Sequence, residues 1–182
     1  LLSTWPLFFG LALIMIGNGI QIVLLGLRAS ASGYSNLITG IMMGGYFLGI
    51  FIGSMVVPNT LSKVGHIRTF GALAAIASAS ILMHLILYDP ISWSFLRVFT
   101  GFCYAGMYIV VESWLNERAT NETRGQILSI YMIITMTGIG VGQLISGFDD
   151  GISYNLFLIA SVLISLAVVP ILITAAKAPD FE

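Results

Sequence analysis

An all-α membrane protein with six transmembrane helices is the fold class this sequence predicts, and three observations carry that reading. Six apolar runs, at residues 5–27, 37–57, 67–87, 91–115, 127–148 and 154–175, alternate with short polar breaks. Each approaches the ~20 residues a helix needs to cross the hydrocarbon core of a bilayer. Hydrophobic residues make up 58% of the chain and charged ones 8%, against roughly 25% charged in soluble domains. The charges also avoid the runs: of 7 Lys and Arg and 8 Asp and Glu, only Arg97 and Glu112 lie well inside one. So few charges cannot build a water-facing surface, and a net charge of −1 gives no reason to expect a nucleic-acid partner.

The first run is too long, and its flanks too uncharged, for a cleaved signal peptide. Its centre carries Asn18 and Gln21, three residues apart and so on one helix face, with Gly17 and Gly19 beside Asn18. The second run repeats glycine at helical spacing (Gly40, Gly44, Gly45, Gly49, Gly53), as the fifth does with Gly138, Gly140, Gly142 and Gly147. Small residues four apart let helices approach closely in lipid. Gly44, Gly49, Gly53, Gly138 and Gly142 are therefore candidate packing positions, either inside the bundle or against a second one. The third run holds His84, read as a packing histidine or a proton-carrying gate residue. The fourth holds a stripe of Arg97, Gly101, Tyr104, Tyr108 and Glu112, whose spacings of four, three, four and four keep them on one face. The sixth is almost wholly apolar, and residues 177–182 read as the start of a cytoplasmic linker or tail.

The breaks set the orientation. Lys63, Arg68, Arg118, Arg124 and Lys177 fall on one side, and Arg28 with the acidic turns at Asp89 and Asp149-Asp150 on the other. Basic loops stay in the cytoplasm, so both termini are expected there. Cys103 is the single cysteine and can form no internal disulfide.

A charge at the bilayer centre costs at least ~2.5–3.5 kcal/mol, so it faces protein or a hydrated cavity. Arg97 lies some ~9 Å below the outer end of its helix, deep enough for a cavity and shallow enough to snorkel. Glu112 is a candidate proton carrier or gate residue, or an anchor for the loop after it. Asn18 and Gln21 act either as helix glue or as hydrogen-bonding groups for a solute. Tyr46, Gln143 and Asn155 are, like His84, open between a packing and a functional reading. No nucleophile elbow, phosphate loop or cluster with metal-ligand spacing is present, so enzyme readings have little footing and neither cofactor nor metal is expected.

Three stretches resemble the amino-terminal half of a major facilitator superfamily transporter. Lys63, Gly65 and Arg68 fit the G-x-L-a-D-r-x-G-r-r loop after helix two, with Ser62 in place of its Asp and Pro58 in place of its first Gly. Arg97 and Gly101 match the R-x-x-x-G of helix four. Gly138 and Gly142 partly fit the antiporter glycine motif of helix five, although Gln143 stands where that motif has Pro, which argues against antiport. Gly17-Asn18-Gly19, the loop from Val64 to Arg68 and the stretch V-E-S-W-L-N-E-R-A-T-N-E-T-R-G from Val111 are similar to the YcaD-like branch.

The resemblance implies half of a twelve-helix fold, needing a second six-helix half from the same longer chain or from a homodimer copy. Helices one and four would line a central cavity and helices two and five would face the other half. Asn18, Gln21, Arg97, Tyr104 and Tyr108 are then the expected solute-binding residues, with Glu112 and His84 at proton coupling or gating. Lys63, Arg68, Glu117 and Arg118 would form a cytoplasmic charge network. The function implied is secondary active transport of a small organic solute by alternating access, with proton coupling open, in a bacterial inner membrane. The alternative is a receptor, scaffold or regulatory subunit on the same bundle; a channel would need a ring of like charges that the sequence lacks.

Overall fold

A computed structural model describes residues 4–148 and 154–173. Six helices follow in order: α1 (Trp5–Ala31), α2 (Asn36–Val64), α3 (His66–Met83), α4 (Pro90–Arg118), α5 (Arg124–Ser146) and α6 (Asn155–Ile173). All six are long and apolar enough to cross a membrane, where backbone polar groups must be bonded within the segment. The expected acidic turn at Asp149-Asp150, Lys177 and the tail at 177–182 lie outside the described residues.

One boundary differs from expectation. The loop expected from Pro58 to Arg68 is mostly helix: α2 runs through Pro58 to Val64, and Gly65 alone turns the chain into α3. Membrane helices tolerate an internal proline where side chains serve the disturbed backbone. The carbonyl that Pro58 deprives of its donor is that of Ser54; the Ser54, Thr60 and Ser62 hydroxyls around it donate to other carbonyls, those of Phe51, Val56 and Asn59. Gly65 has φ +86°, a left-handed value that a side chain would strain.

Two tight helix pairs organise the bundle, α2 on α4 and α5 on α1, and they correspond residue by residue. A Cβ on Gly49 would overlap the Val98 carbonyl and lie 2.7 Å from the Phe102 nitrogen; one on Gly142 would overlap the Ile16 carbonyl and lie 2.7 Å from the Ile20 nitrogen. In return Gly101 of α4 faces the Tyr46 carbonyl, and Gly19 of α1 faces the Ile139 carbonyl. Gly45 meets Ser94 as Gly138 meets Ala12. Gly53 faces the Phe102 carbonyl where the Ser146 hydroxyl donates to the Ile20 carbonyl.

The three-helix units α1–α3 and α4–α6 are thus inverted copies, an arrangement common among transporters and not visible by eye in the sequence. Serines mark the seam, with Ser78 Oγ 2.7 Å from Ser161 Oγ and 2.9 Å from Ser165 Oγ. Gly49, Gly53, Gly138 and Gly142 all pack inside this bundle. Gly44 does not: a Cβ there meets nothing within 4 Å, because it lies one residue round the helix from the Gly45-Gly49-Gly53 stripe.

Asp89 caps α4, its Oδ1 accepting from the Ser92 nitrogen at 2.8 Å. Hydrogen bonds from the Ser92 side chain and backbone hold its carboxyl below the usual carboxylate value. A depressed folded-state value means the contribution is complete above the unfolded carboxylate pKa and is lost as pH falls through the folded one. The thermal midpoint of wild type is therefore expected to exceed that of Asp89→Asn at neutral pH. The gap should close below the ordinary carboxylate range of about 4, and an unchanged gap at pH 3 contradicts the assignment.

Candidate functional site

The polar groups of α1, α2 and α4 converge between the two units. Asn18 donates through Nδ2 to the Tyr46 hydroxyl at 3.2 Å and to the Tyr108 hydroxyl at 2.8 Å. The Tyr46 hydroxyl is also placed to donate back to Asn18 Oδ1 at 3.4 Å. The Arg97 guanidinium lies over the Tyr46 ring, 4.4 Å from its centroid. Tyr104 stands between, its ring 6.2 Å from Tyr46 and 6.0 Å from Tyr108. Gly101 makes this possible, since it lets the α2 backbone close onto α4 and brings Tyr46 under Arg97.

The stripe on α4 does not open onto a hollow as expected. Arg97 is 2% exposed and Tyr104 fully buried, because Tyr46 covers the guanidinium face and α2 shuts the space in front. Only Tyr108, half-buried, and Glu112, exposed, emerge toward the C-terminal end of α4. A groove of about 400 Å³ lies elsewhere, between the outer faces of α2 and α4, where Gly44 joins Ile41, Leu48, Ile91, Phe95 and Val98.

Several buried polar atoms in the cluster have no hydrogen-bond partner among the described residues: Arg97 Nε and Nη1, the Tyr104 hydroxyl and both amide atoms of Gln21. A buried donor left unmade costs about 1–3 kcal/mol, more when charged.

Glu112 lies apart from Arg97, about 22 Å along the helix axis, and accepts from the Tyr131 hydroxyl of α5 at 2.6 Å. His84 is buried at the C-terminal end of α3, with Nδ1 2.7 Å from the Ser80 carbonyl and its ring against Trp93. That bond makes Nδ1–H the donor and leaves Nε2 as an acceptor.

The cytoplasmic charge network differs from expectation. Glu117 meets His66, whose Nε2 is 3.7 Å away and 3.2 Å from Ser113 Oγ. No ion pair joins Lys63 or Arg68 to Glu117 among the described residues. Arg68 follows His66 by two positions, about 200° round α3, so it points away. The helical continuation of α2 leaves Lys63 on an exposed face. Arg118 lies over Trp114 at 5.6 Å.

Sequence reasoning left Tyr46 open between packing and function and did not single out Tyr131. A signal for Tyr46 was present: it sits three residues before Gly49 on the glycine face, where a large side chain must enter the neighbouring helix pair.

The chain resembles several curated proteins. It is 26% identical over 169 residues to the uncharacterized MFS-type transporter YE1530 of Yersinia enterocolitica, covering 91% of this chain and 44% of that protein. It is 26% identical over 143 residues to the uncharacterized MFS-type transporter YcaD of Escherichia fergusonii, covering 79% and 37%. The YcaD protein of Salmonella arizonae is 24% identical over 168 residues, covering 92% and 44%. The chain thus spans less than half the length of the curated relatives it matches. A family model described as Major Facilitator Superfamily matches residues 7–180, and with six membrane-length helices behind it the chain is an integral membrane protein that belongs to that superfamily.

Proposed function

We propose that this chain is half of a secondary transporter for a small organic solute, working by alternating access with a second six-helix half. The observation that carries the proposal is the Asn18–Tyr46–Arg97–Tyr104–Tyr108 cluster. It is drawn from three helices, lies at the seam between inverted units, and retains buried donors that no side chain among the described residues satisfies. Transporter sites sit near the bilayer midplane at repeat interfaces. The second half is the remainder of a longer chain or another copy, which the relatives' greater length supports. Glu112, hydrogen-bonded to Tyr131, is the proton-carrying or gate residue. His66 with Glu117 latches α3 to α4 on the cytoplasmic side, and both termini lie in the cytoplasm of a bacterial inner membrane.

The test is flux. The protein, expressed from its whole gene and reconstituted in liposomes, is expected to give saturable uptake of at least one solute from a set of radiolabelled carboxylates, amines and neutral compounds. Arg97→Ala should lower the initial rate at least tenfold while the amount inserted stays unchanged. Uptake of every solute at the level of protein-free liposomes would reject transport in favour of a receptor or scaffold. Uptake indifferent to Arg97→Ala would remove the cluster from the path.

A further inference from the structure

We infer that the solute is an organic monoanion, a carboxylate carried on an apolar or aromatic body, bound end-on by Arg97. This rests on the transport reading and specifies its substrate class.

The chain's internal symmetry supplies the first support. The correspondence of Gly101 with Gly19, and of Gly49 with Gly142, also aligns Arg97 with Met15 and Tyr46 with Ile139. The same helix-pair geometry is therefore built once from Met and Ile and once from Arg and Tyr. Packing at this level needs neither a charge nor a hydroxyl. Since a buried guanidinium is costly in lipid, its presence in one copy alone calls for a partner outside the bundle.

The second support is the balance of donors and acceptors. Arg97 carries donors only. Its face is occupied by the Tyr46 ring, which leaves the in-plane N–H groups, and among the described residues Nε and Nη1, on two different edges, have no hydrogen-bond partner. A carboxylate is gripped with two parallel hydrogen bonds by Nε with Nη2 or by Nη1 with Nη2, and each of these edges of the buried guanidinium has one unpartnered donor. The Tyr104 hydroxyl is a further donor without a partner among the described residues, whereas the Tyr108 hydroxyl is engaged by Asn18. The cluster offers an excess of donors with one cationic charge.

The third support is the absence of a counter-charge among the described residues. Asp89 is engaged by Ser92 at the cap of α4, about 12 Å from Arg97 along the axis. Glu112 is held by Tyr131, and Glu117 by Ser113 and His66. Glu122 is exposed in the loop after α4. Nothing described neutralises Arg97. In the arrangement described Tyr46 and Tyr104 are buried; on the alternating-access reading the apolar body of the solute would meet the row of rings from Tyr46 through Tyr104 to Tyr108 in another state of the cycle, where stacking favours an aromatic or flat group.

The test is a thermal-shift series on the whole-gene protein in lipid nanodiscs, using benzoate, phenylpyruvate and acetate with benzamide and benzylamine as the neutral and cationic counterparts. Benzoate or phenylpyruvate is expected to raise the unfolding midpoint in a saturable way, acetate less, benzamide and benzylamine not at all. Arg97→Gln should abolish the shift, and Arg97→Lys should keep it with about tenfold weaker apparent affinity. If Arg97→Gln fails to fold, the comparison of the three charge types on wild type and Arg97→Lys still decides.

Lack of response to all three carboxylates, or an equal response in Arg97→Gln, overturns the inference. A saturable benzylamine shift that Asn18→Ala removes overturns the anionic class while leaving a solute site in the cluster, and so leaves the transport proposal standing.

Discussion

Valine at position 101 is expected to cost the protein its fold. A Cβ on Gly101 would overlap the Tyr46 carbonyl and crowd the Ile50 nitrogen, both of them α2 backbone. No side-chain rotation relieves a clash with backbone, so α2 and α4 would have to separate along the contact that also seats Gly45, Gly49 and Gly53. Overpacking of rigid sites costs about 1–3 kcal/mol and occasionally more. Loss of the close van der Waals contact that drives association in lipid adds to it. Gly142→Val, the counterpart on the α5–α1 pair, should fail to the same degree. Gly26→Ala, where nothing lies within 4 Å of the new carbon, should be neutral. Monodisperse protein recovered from membranes, together with its thermal midpoint, measures all three. Normal yield and midpoint for both valine variants would contradict the described interlock.

The lengths of the six helices were legible in the sequence because hydrocarbon thickness imposes length on any crossing segment. Glycine spacing was legible as packing, yet not its target. That Gly49 meets Val98 and Phe102 rather than a second bundle depends on which helix lies beside α2. The end of α2 differs from expectation for a related reason: in water a proline inside a helix is usually a break, whereas membrane helices tolerate one.

The face shared by Arg97, Tyr104 and Tyr108 followed from the spacing on α4. Its closure by Tyr46 did not, since the glycine face that carries Tyr46 does not say which helix it meets. The expected charge network turns on the same ground: helix phase brings His66 of α3 to Glu117 and carries Arg68 about 200° round the helix from it. The inverted repeat, whose two copies share small residues and little else, became legible only from the positions of the close backbone contacts.

Asn18→Asp should reverse the charge preference of the cluster. Asn18 holds the hydroxyls of Tyr46 and Tyr108, and both hydroxyls are able to donate to a carboxylate in its place. The new charge would have two hydrogen bonds and would lie across the Tyr46 ring from Arg97, whose guanidinium is 4.4 Å from the ring centroid. At a separation of roughly 8 Å and an effective dielectric of about 20, opposite charges attract by about 2 kcal/mol.

An internal counter-ion of that strength competes with a bound carboxylate, and each ~1.4 kcal/mol is tenfold in affinity. The benzoate shift should weaken by more than tenfold in Asn18→Asp, whereas benzylamine should begin to stabilise the protein. Asn18→Leu separates charge from hydrogen bonding: it strands the two hydroxyls at about 1 kcal/mol and gives benzylamine no advantage. Undiminished benzoate binding in Asn18→Asp would mean that the guanidinium at position 97 does not hold the anion, and the charge argument built on Arg97 would fail with it.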